Sequence, residues 1–201
     1  MCSKKQELAY NMLKQIESAI LRIMQRTQEI SCADDFLLSP FGMEKLDSVC
    51  MLLAVDIGNS TISTGLFGLD GELRFLASLD TDYRKTADQI CVDLMNLFQL
   101  YHFRYEDVTD SILCSVVPPL NFMMEKALTR LLGGEPMVVG PGIKTGLNIR
   151  MEVHNQLGTD LVANAVAALE KYPAPIIMIE MGTATTISYI SRQKTYEGGM
   201  M

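Results

Sequence analysis

The chain has 201 residues, 48% of them hydrophobic and 20% charged, which is enough for one large domain or two small ones around a real core. Its net charge of -7 argues against nucleic acid as a partner, and no apolar run is long enough for a membrane span. The five cysteines lie far apart and the N-terminus has no signal-peptide core, so we expect reduced thiols in a cytoplasmic protein.

The first part of the chain has a helical pattern. Residues 4–30 place apolar side chains at helical spacing, which predicts an amphipathic helix that ends in the segment 31–42. Residues 43–53 are compatible with the start of a second helix. The pattern then changes to that of buried β-strands, with strands predicted at 51–57, 61–67 and 72–79. Residues 51–53 therefore have two open assignments.

The rest of the chain alternates between helices and strands. Helices are predicted at 84–101, 120–132 and 156–172. Strands are predicted at 111–117, within 133–140, and as a pair within 174–191. Pro118 and Pro119 are expected to end the first of these strands, because proline cannot donate to a strand ladder. This alternation predicts an α/β fold.

One sequence unit occurs twice. The segments "AVDIGNSTISTGLF" and "MIEMGTATTISYIS" align without a gap, so that Asp56 matches Glu180, Gly58 matches Gly182 and Thr61 matches Thr185. Each unit is an apolar strand, an acid, a glycine turn and a returning strand. A turn of this kind exposes N–H groups that can cradle phosphate oxygens, and the acid can face a hydrated Mg²⁺. Two facing hairpins would hold a nucleotide between them, and two ordinary hairpins remain the alternative.

Other nucleotide-binding motifs are absent from the sequence. The segment "GPGIKTG" contains Lys144 and Thr145, but its glycine spacing differs from that of a P-loop. A Rossmann fingerprint is also missing. We therefore expect any nucleotide to bind at the repeated hairpins.

Five segments together resemble one family. They are "DIGNS" (56–60), "SVVPP" (115–119), "PGIKTGL" (141–147), "LGTDLVANAVAAL" (157–169) and "EMGTATT" (180–186). With these segments, residues 51–201 resemble the type III pantothenate kinases, members of the acetate and sugar kinase/Hsp70/actin superfamily. The resemblance implies an actin-like ATPase, RNase H-like α/β fold with a first domain at 51–150. A second domain would begin at 151–201 and be incomplete, since the family continues further.

The resemblance also implies a function. The family phosphorylates pantothenate with ATP to give 4'-phosphopantothenate, the first step of coenzyme A biosynthesis. It implies ATP, Mg²⁺ and a monovalent cation, K⁺ or NH₄⁺, as cofactors, and a homodimer as the assembly.

The same resemblance implies roles for individual residues. Asp160 would be the general base that takes the proton from the pantothenate hydroxyl, whereas the residue alone, without the flanking motifs, favours an N-cap of a helix over 161–171. Asp56 and Glu180 would lie at the metal and cation sites. The pantothenate site would be formed by Gly158, Thr159, Asp160 and Leu161. The ATP contacts would come from Asp56, Ile57, Gly58, Asn59, Ser60, Thr61, Ile62, Ser63 and Thr183.

Two positions depart from the family pattern. Leu161 stands where the family has arginine, so a charged contact to the substrate is missing. Glu180 stands where the family has aspartate, which keeps the charge and adds a methylene. Both departures favour an alternative function, that of a non-catalytic nucleotide-binding or regulatory relative.

Residues 1–50 lie outside this pattern and resemble the N-terminal half of HepT-like HEPN proteins. The HEPN catalytic signature, an Arg and a His at a set spacing, is absent, and Arg150 and His154 are one residue too close. A helical interaction module of toxin–antitoxin type is therefore a further alternative, without ribonuclease activity. Met51 begins "MLLAVDIGNS", which reads like the start of a kinase of this family, so we expect a join near residue 51.

Overall fold

A computed structural model describes residues 51–68, 70–140, 146–150 and 157–201. The helical extension predicted for residues 1–50, with its HEPN-like helix at 4–30, lies outside the described residues, as do Lys144, Thr145 and His154. The described residues form two mixed β-sheets, one of five strands and one of four.

The first sheet has the strand order β3-β2-β1-β4-β5. The first three strands are antiparallel neighbours, and β4 and β5 run parallel to β1. The strands are β1 (Met51–Ile57), β2 (Thr61–Gly68), β3 (Leu73–Asp80), β4 (Val108–Ser115) and β5 (Met137–Val138). This order, an antiparallel meander followed by parallel strands, is that of the RNase H-like unit expected from the sequence.

The second sheet has the order β6-β9-β8-β7 and contains a second antiparallel hairpin. Its strands are β6 (Asn148–Ile149), β7 (Ile176–Met181), β8 (Thr185–Ile190) and β9 (Thr195–Met200). Two sheets that each contain such a hairpin agree with the predicted actin-like ATPase fold. Because β6 belongs to the second sheet, the change of sheet falls between Val138 and Asn148, just before the division predicted at residue 150. The division into domains remains a prediction.

Strand β1 is buried on both faces, as a central strand should be. Leu53, Val55 and Ile57 pack against the helices α1 (Ala87–Leu100) and α2 (Pro118–Leu132). Leu52 and Ala54 face the other way, toward a second apolar cluster that includes Ala163 of helix α3 (Thr159–Lys171). Asp56 continues this second face, so the alternation of the strand directs its carboxylate toward α3.

Several boundaries differ from the sequence predictions for physical reasons. Met51–Leu53 belong to β1, so the helical assignment of 51–53 is wrong. Pro118 and Pro119 do not simply end a strand but begin α2, where the missing N–H of proline costs nothing. Strand β4 already starts at Val108 and ends at Ser115. Helix α1 begins after Thr86, which forms a capping box with Gln89.

Candidate active site

The two hairpin turns and the start of α3 meet in one cleft. The hydroxyl oxygens of Ser60, in the first turn, and Thr183, in the second, lie 3.0 Å apart. Thr159, the first residue of α3, donates a hydrogen bond from Oγ1 to the carbonyl oxygen of Ser115 at 2.9 Å. Strands β1 and β4 are parallel neighbours, and their last residues, Ile57 and Ser115, are paired. Both strands therefore end at this cleft.

The first turn has the features of an anion cradle. The N–H of Gly58 donates to the carbonyl oxygen of Thr61 at 3.0 Å, which closes the turn. Within the described part of the chain, the N–H groups of Asn59 and Ser60 have no acceptor. A Cβ at position 58 would lie 3.1 Å from that carbonyl oxygen, so the tight turn favours glycine. Free, adjacent N–H groups of this kind bind phosphate oxygens.

The second turn is one residue shorter than the first. Asp56 pairs with Ser63 across the first hairpin, whereas Glu180 pairs with Thr186 across the second. The ungapped alignment is therefore wrong beyond the turn, and the structural counterpart of Thr61 is Ala184 rather than Thr185. A shift of one residue in register changes which side chains lie opposite each other. With this shift, Thr186 lies opposite Glu180 as Ser63 lies opposite Asp56, so each acid is paired with a hydroxyl residue.

Three carboxylates approach one another in the cleft, those of Asp56, Asp160 and Glu180. Burial, and after it the negative charges of Asp160 and Glu180, raise the pKa of Asp56 from 3.8 to about 7, and a hydrogen bond from the Cys114 thiol opposes this rise. Burial also raises the pKa of Glu180, and the charge of Asp160 adds to the effect. This concentration of acids would be stabilised by a bound cation.

Two buried oxygen atoms near these acids lack a hydrogen-bond partner. They are Oε1 of Glu180 and Oδ1 of Asn164, and Asn164 also hydrogen bonds to the Glu180 side chain. Oxygen ligands of this kind fit a hard cation. No three His, Cys, Asp or Glu side chains in the described ranges are placed to hold a metal ion by themselves. Asn164 is not among the site residues predicted from the sequence, although its spacing of one helical turn from Asp160 was a usable signal.

Asp160 lies in the first turn of α3 but is not its N-cap. The helix begins at Thr159, Gly158 occupies the N-cap position, and no side chain caps it. The alternative reading of Asp160 as the cap of a helix over 161–171 is therefore wrong. Its Oδ1 accepts a hydrogen bond from the N–H of Leu161 at 2.8 Å. A Cβ on residue 158 would collide with this same carboxylate oxygen, so the glycine there leaves room for the Asp160 side chain in its observed position.

The remaining predicted residues surround the cleft in different ways. Asn59, Ser60, Thr61 and Thr183 are exposed at the tips of the turns. The side chains of Ile57 and Ile62 are buried in the core against α1 and α2, so only their backbone could contact a nucleotide. Ser63 is partly buried opposite Asp56, and Leu161 is partly buried beside Asp160.

The family model described as Type III pantothenate kinase matches residues 52–201. The chain belongs to the type III pantothenate kinase family. The match begins after the first fifty residues, and the HEPN resemblance of residues 1–50 finds no support in these comparisons. Among the described residues, no helix is both long enough and apolar enough to cross a membrane.

Two curated relatives agree with this membership. A type III pantothenate kinase of Brevibacillus brevis is 42% identical over 149 residues, which cover 74% of this chain and 58% of the relative. That of Shouchella clausii is 40% identical over 151 residues, which cover 75% of this chain and 59% of the relative. The chain thus spans somewhat less than three fifths of the length of these type III pantothenate kinases.

Among solved structures, a reductive activator for a corrinoid, iron–sulfur protein superposes with a TM-score of 0.50. The superposition covers 73% of this chain and 30% of the activator, at 10% identity. At that identity the likeness concerns the fold alone.

Proposed function

We propose that this type III pantothenate kinase-like protein phosphorylates pantothenate with ATP to give 4'-phosphopantothenate, in coenzyme A biosynthesis. The observation that supports this most is the position of Asp160, which lies close enough to Asp56 and Glu180 for its negative charge to raise the pKa of both carboxyl groups. The family of the chain and the pattern of the site point to the same chemistry.

The first turn would bind the phosphates of ATP. The free N–H groups of Asn59 and Ser60 would donate to phosphate oxygens, and Thr183 would approach from the opposite turn. Asp56 would hold a hydrated Mg²⁺, whose positive charge neutralises the transferring phosphate. Because the described residues offer no three-acid cage, water and phosphate oxygens would complete the coordination of that ion.

Asp160 would act as the general base. It would accept the proton of the pantothenate hydroxyl while that oxygen forms a bond to the γ-phosphorus and ADP leaves with the electrons of the broken bond. Gly158, Thr159 and Leu161 would line the acceptor side of the cleft. Their position at the start of α3 holds them next to the base.

Glu180 would bind the monovalent cation, K⁺ or NH₄⁺. Its buried Oε1 and the Oδ1 of Asn164 are acceptors without a partner in the described structure. A cation would satisfy both atoms and offset the charge of the three acids. A homodimer and a cytoplasmic location belong to the same proposal, and the free buried thiols of Cys91 and Cys114 agree with a reducing compartment.

A coupled assay of ADP release tests this function. The chain is incubated with pantothenate, MgATP and K⁺, and Asp160→Asn serves as the matched variant because it keeps size and shape but removes the base. We expect pantothenate-dependent ADP release that falls by at least about a hundredfold in Asp160→Asn. Equal release by the two proteins would contradict the role of Asp160.

A non-catalytic, nucleotide-binding relative remains the second candidate. The observation in its favour is Leu161, which places an apolar side chain where the family has arginine. The two candidates differ in one outcome. Binding of MgATP without any pantothenate-dependent ADP release, in a version that carries the full second domain, would select the second.

A further inference from the structure

The segment 81–83, which follows β3, donates hydrogen bonds to the carbonyl groups of the first turn. We infer that Thr81, at the start of this segment, is a positioning residue that holds the turn in its phosphate-binding conformation. The inference rests on the proposed function, because it concerns the same turn. Thr81 lies outside the five segments that carry the family resemblance.

Three successive carbonyl groups of the turn accept hydrogen bonds from this one segment. Thr81 donates from Oγ1 to the carbonyl oxygen of Gly58 at 2.7 Å, and this contact is partly buried. Its backbone N–H donates to the carbonyl oxygen of Ser60 at 3.3 Å. The hydroxyl of Tyr83 donates to the carbonyl oxygen of Asn59 at 3.5 Å. The turn is therefore braced from one side along its whole length.

Bracing the carbonyl groups also orients the N–H groups. In a planar trans peptide, the C=O of one residue and the N–H of the next point in opposite directions. When Thr81 fixes the carbonyl of Gly58, the N–H of Asn59 must point away from Thr81. The bond from Tyr83 to Asn59 orients the N–H of Ser60 in the same manner. These are the two N–H groups that lack an acceptor in the described structure.

The register of the sheet explains why Thr81 occupies this place. Asp80, the last residue of β3, pairs with Thr61, the first residue of β2. Thr81 is therefore the first residue beyond the ladder, level with the turn that joins β1 and β2. A residue at this point is the nearest part of the neighbouring strand that can reach the turn.

The second turn has no such brace in the described structure. Gly182 donates to the carbonyl of Ala184 at 3.1 Å, but no described residue donates to the carbonyl groups of Gly182 and Thr183. The first turn is thus preorganised and the second is not. Preorganised donors lose less entropy on binding, so the first turn would supply most of the affinity for the phosphate chain.

Two substitutions and two ligands test the inference. Thr81→Val removes the hydroxyl and keeps the shape, whereas Thr81→Ser keeps the hydroxyl. Dissociation constants for MgATP and for adenosine are measured by isothermal titration calorimetry. We expect Thr81→Val to weaken MgATP binding about threefold to tenfold and leave adenosine binding unchanged, and Thr81→Ser to bind MgATP within about twofold of the wild type.

Thr109→Val is the matched control. Thr109 also donates a hydrogen bond from its side chain to a backbone carbonyl, from Oγ1 to the carbonyl oxygen of Met51 at 3.3 Å, but Met51 lies at the end of β1 far from the turn. We expect this variant to bind MgATP like the wild type. Melting curves of all variants confirm that each is folded.

The outcomes separate this inference from the proposed function. Wild-type affinity for MgATP in Thr81→Val overturns the inference alone, as does an equal loss of MgATP and adenosine binding, which would indicate a general structural effect. A wild-type chain that binds no MgATP overturns the proposed function, and the role of Thr81 with it.

Discussion

At the scale of single residues, the chemistry of the cleft depends on where its acids are placed. Asp56 is the polar side chain of the otherwise apolar strand β1. Burial and the negative charges of Asp160 and Glu180 make its ionised form costly. Such a cost is kept at functional sites because a ligand can offset it. Without a bound cation, ionised Asp56 should therefore lower the free energy of unfolding.

Asp56→Asn should change how stability depends on pH. The raised pKa of Asp56, about 7 against 3.8, means that the folded protein holds a proton that the unfolded chain has already lost. Stability should therefore fall as pH rises from about 4 to about 7 and then level off. The Asp56→Asn variant should lack this loss of stability between about pH 4 and about pH 7. For the wild type the loss is about 1–2 kcal/mol, after allowance for water near the partly exposed side chain.

Urea unfolding in EDTA at pH 5 and pH 8 measures this difference. Asp110→Asn is the control, since Asp110 is an exposed acid on the neighbouring strand β4. A pH dependence that is the same in wild type and Asp56→Asn would show that Asp56 is not destabilised by its surroundings.

Gly158→Ala should move the base without removing it. The new Cβ would occupy the space of the Asp160 carboxylate, which must rotate away. We expect pantothenate-dependent ADP release to fall by at least about tenfold, because a misplaced base loses its geometry, while MgATP affinity stays the same. Gly134→Ala is the matched control, because nothing lies within 4 Å of a Cβ built there. Normal turnover in Gly158→Ala would contradict the account.

At the scale of elements, the two hairpins differ in how they are covered. Strand β1 is buried on both faces, but β7 is covered on only one. Ile177, Ile179 and Met181 alternate along its open face with 69%, 63% and 65% of their surface exposed, and Ile187 and Tyr189 of β8 are also exposed. An apolar surface of this extent favours association.

Ile179→Lys should reduce that association. A charge in the middle of the open face lowers its apolar area, so we expect weaker binding of the dye ANS and less self-association in sedimentation velocity. Unfolding free energy should change by less than about 0.5 kcal/mol, since the side chain is mostly exposed. Val92→Lys on α1, whose wild-type side chain is 55% exposed, is the control. Equal ANS binding by wild type and Ile179→Lys would contradict this.

At the scale of the whole molecule, the sequence predicted the α/β fold, both hairpins and most element positions. It did so because strand alternation, glycine turns and helical spacing are local signals. It could not predict the one-residue slip between Glu180 and Thr186, since an ungapped alignment carries no pairing information. The brace from Thr81 and the meeting of Asn164 with Glu180 are contacts through space, which sequence spacing does not reveal.

The central claim is that the two turns together hold the triphosphate of ATP. A crystal structure of the chain with a non-hydrolysable ATP analogue and Mg²⁺ tests it directly. We predict phosphate oxygens within hydrogen-bond distance of the Asn59 and Ser60 N–H groups, Thr183 on the opposite side, and Asp160 facing the terminal phosphate. An analogue bound away from the cleft, or contacting one turn while the other stays remote, would contradict the claim.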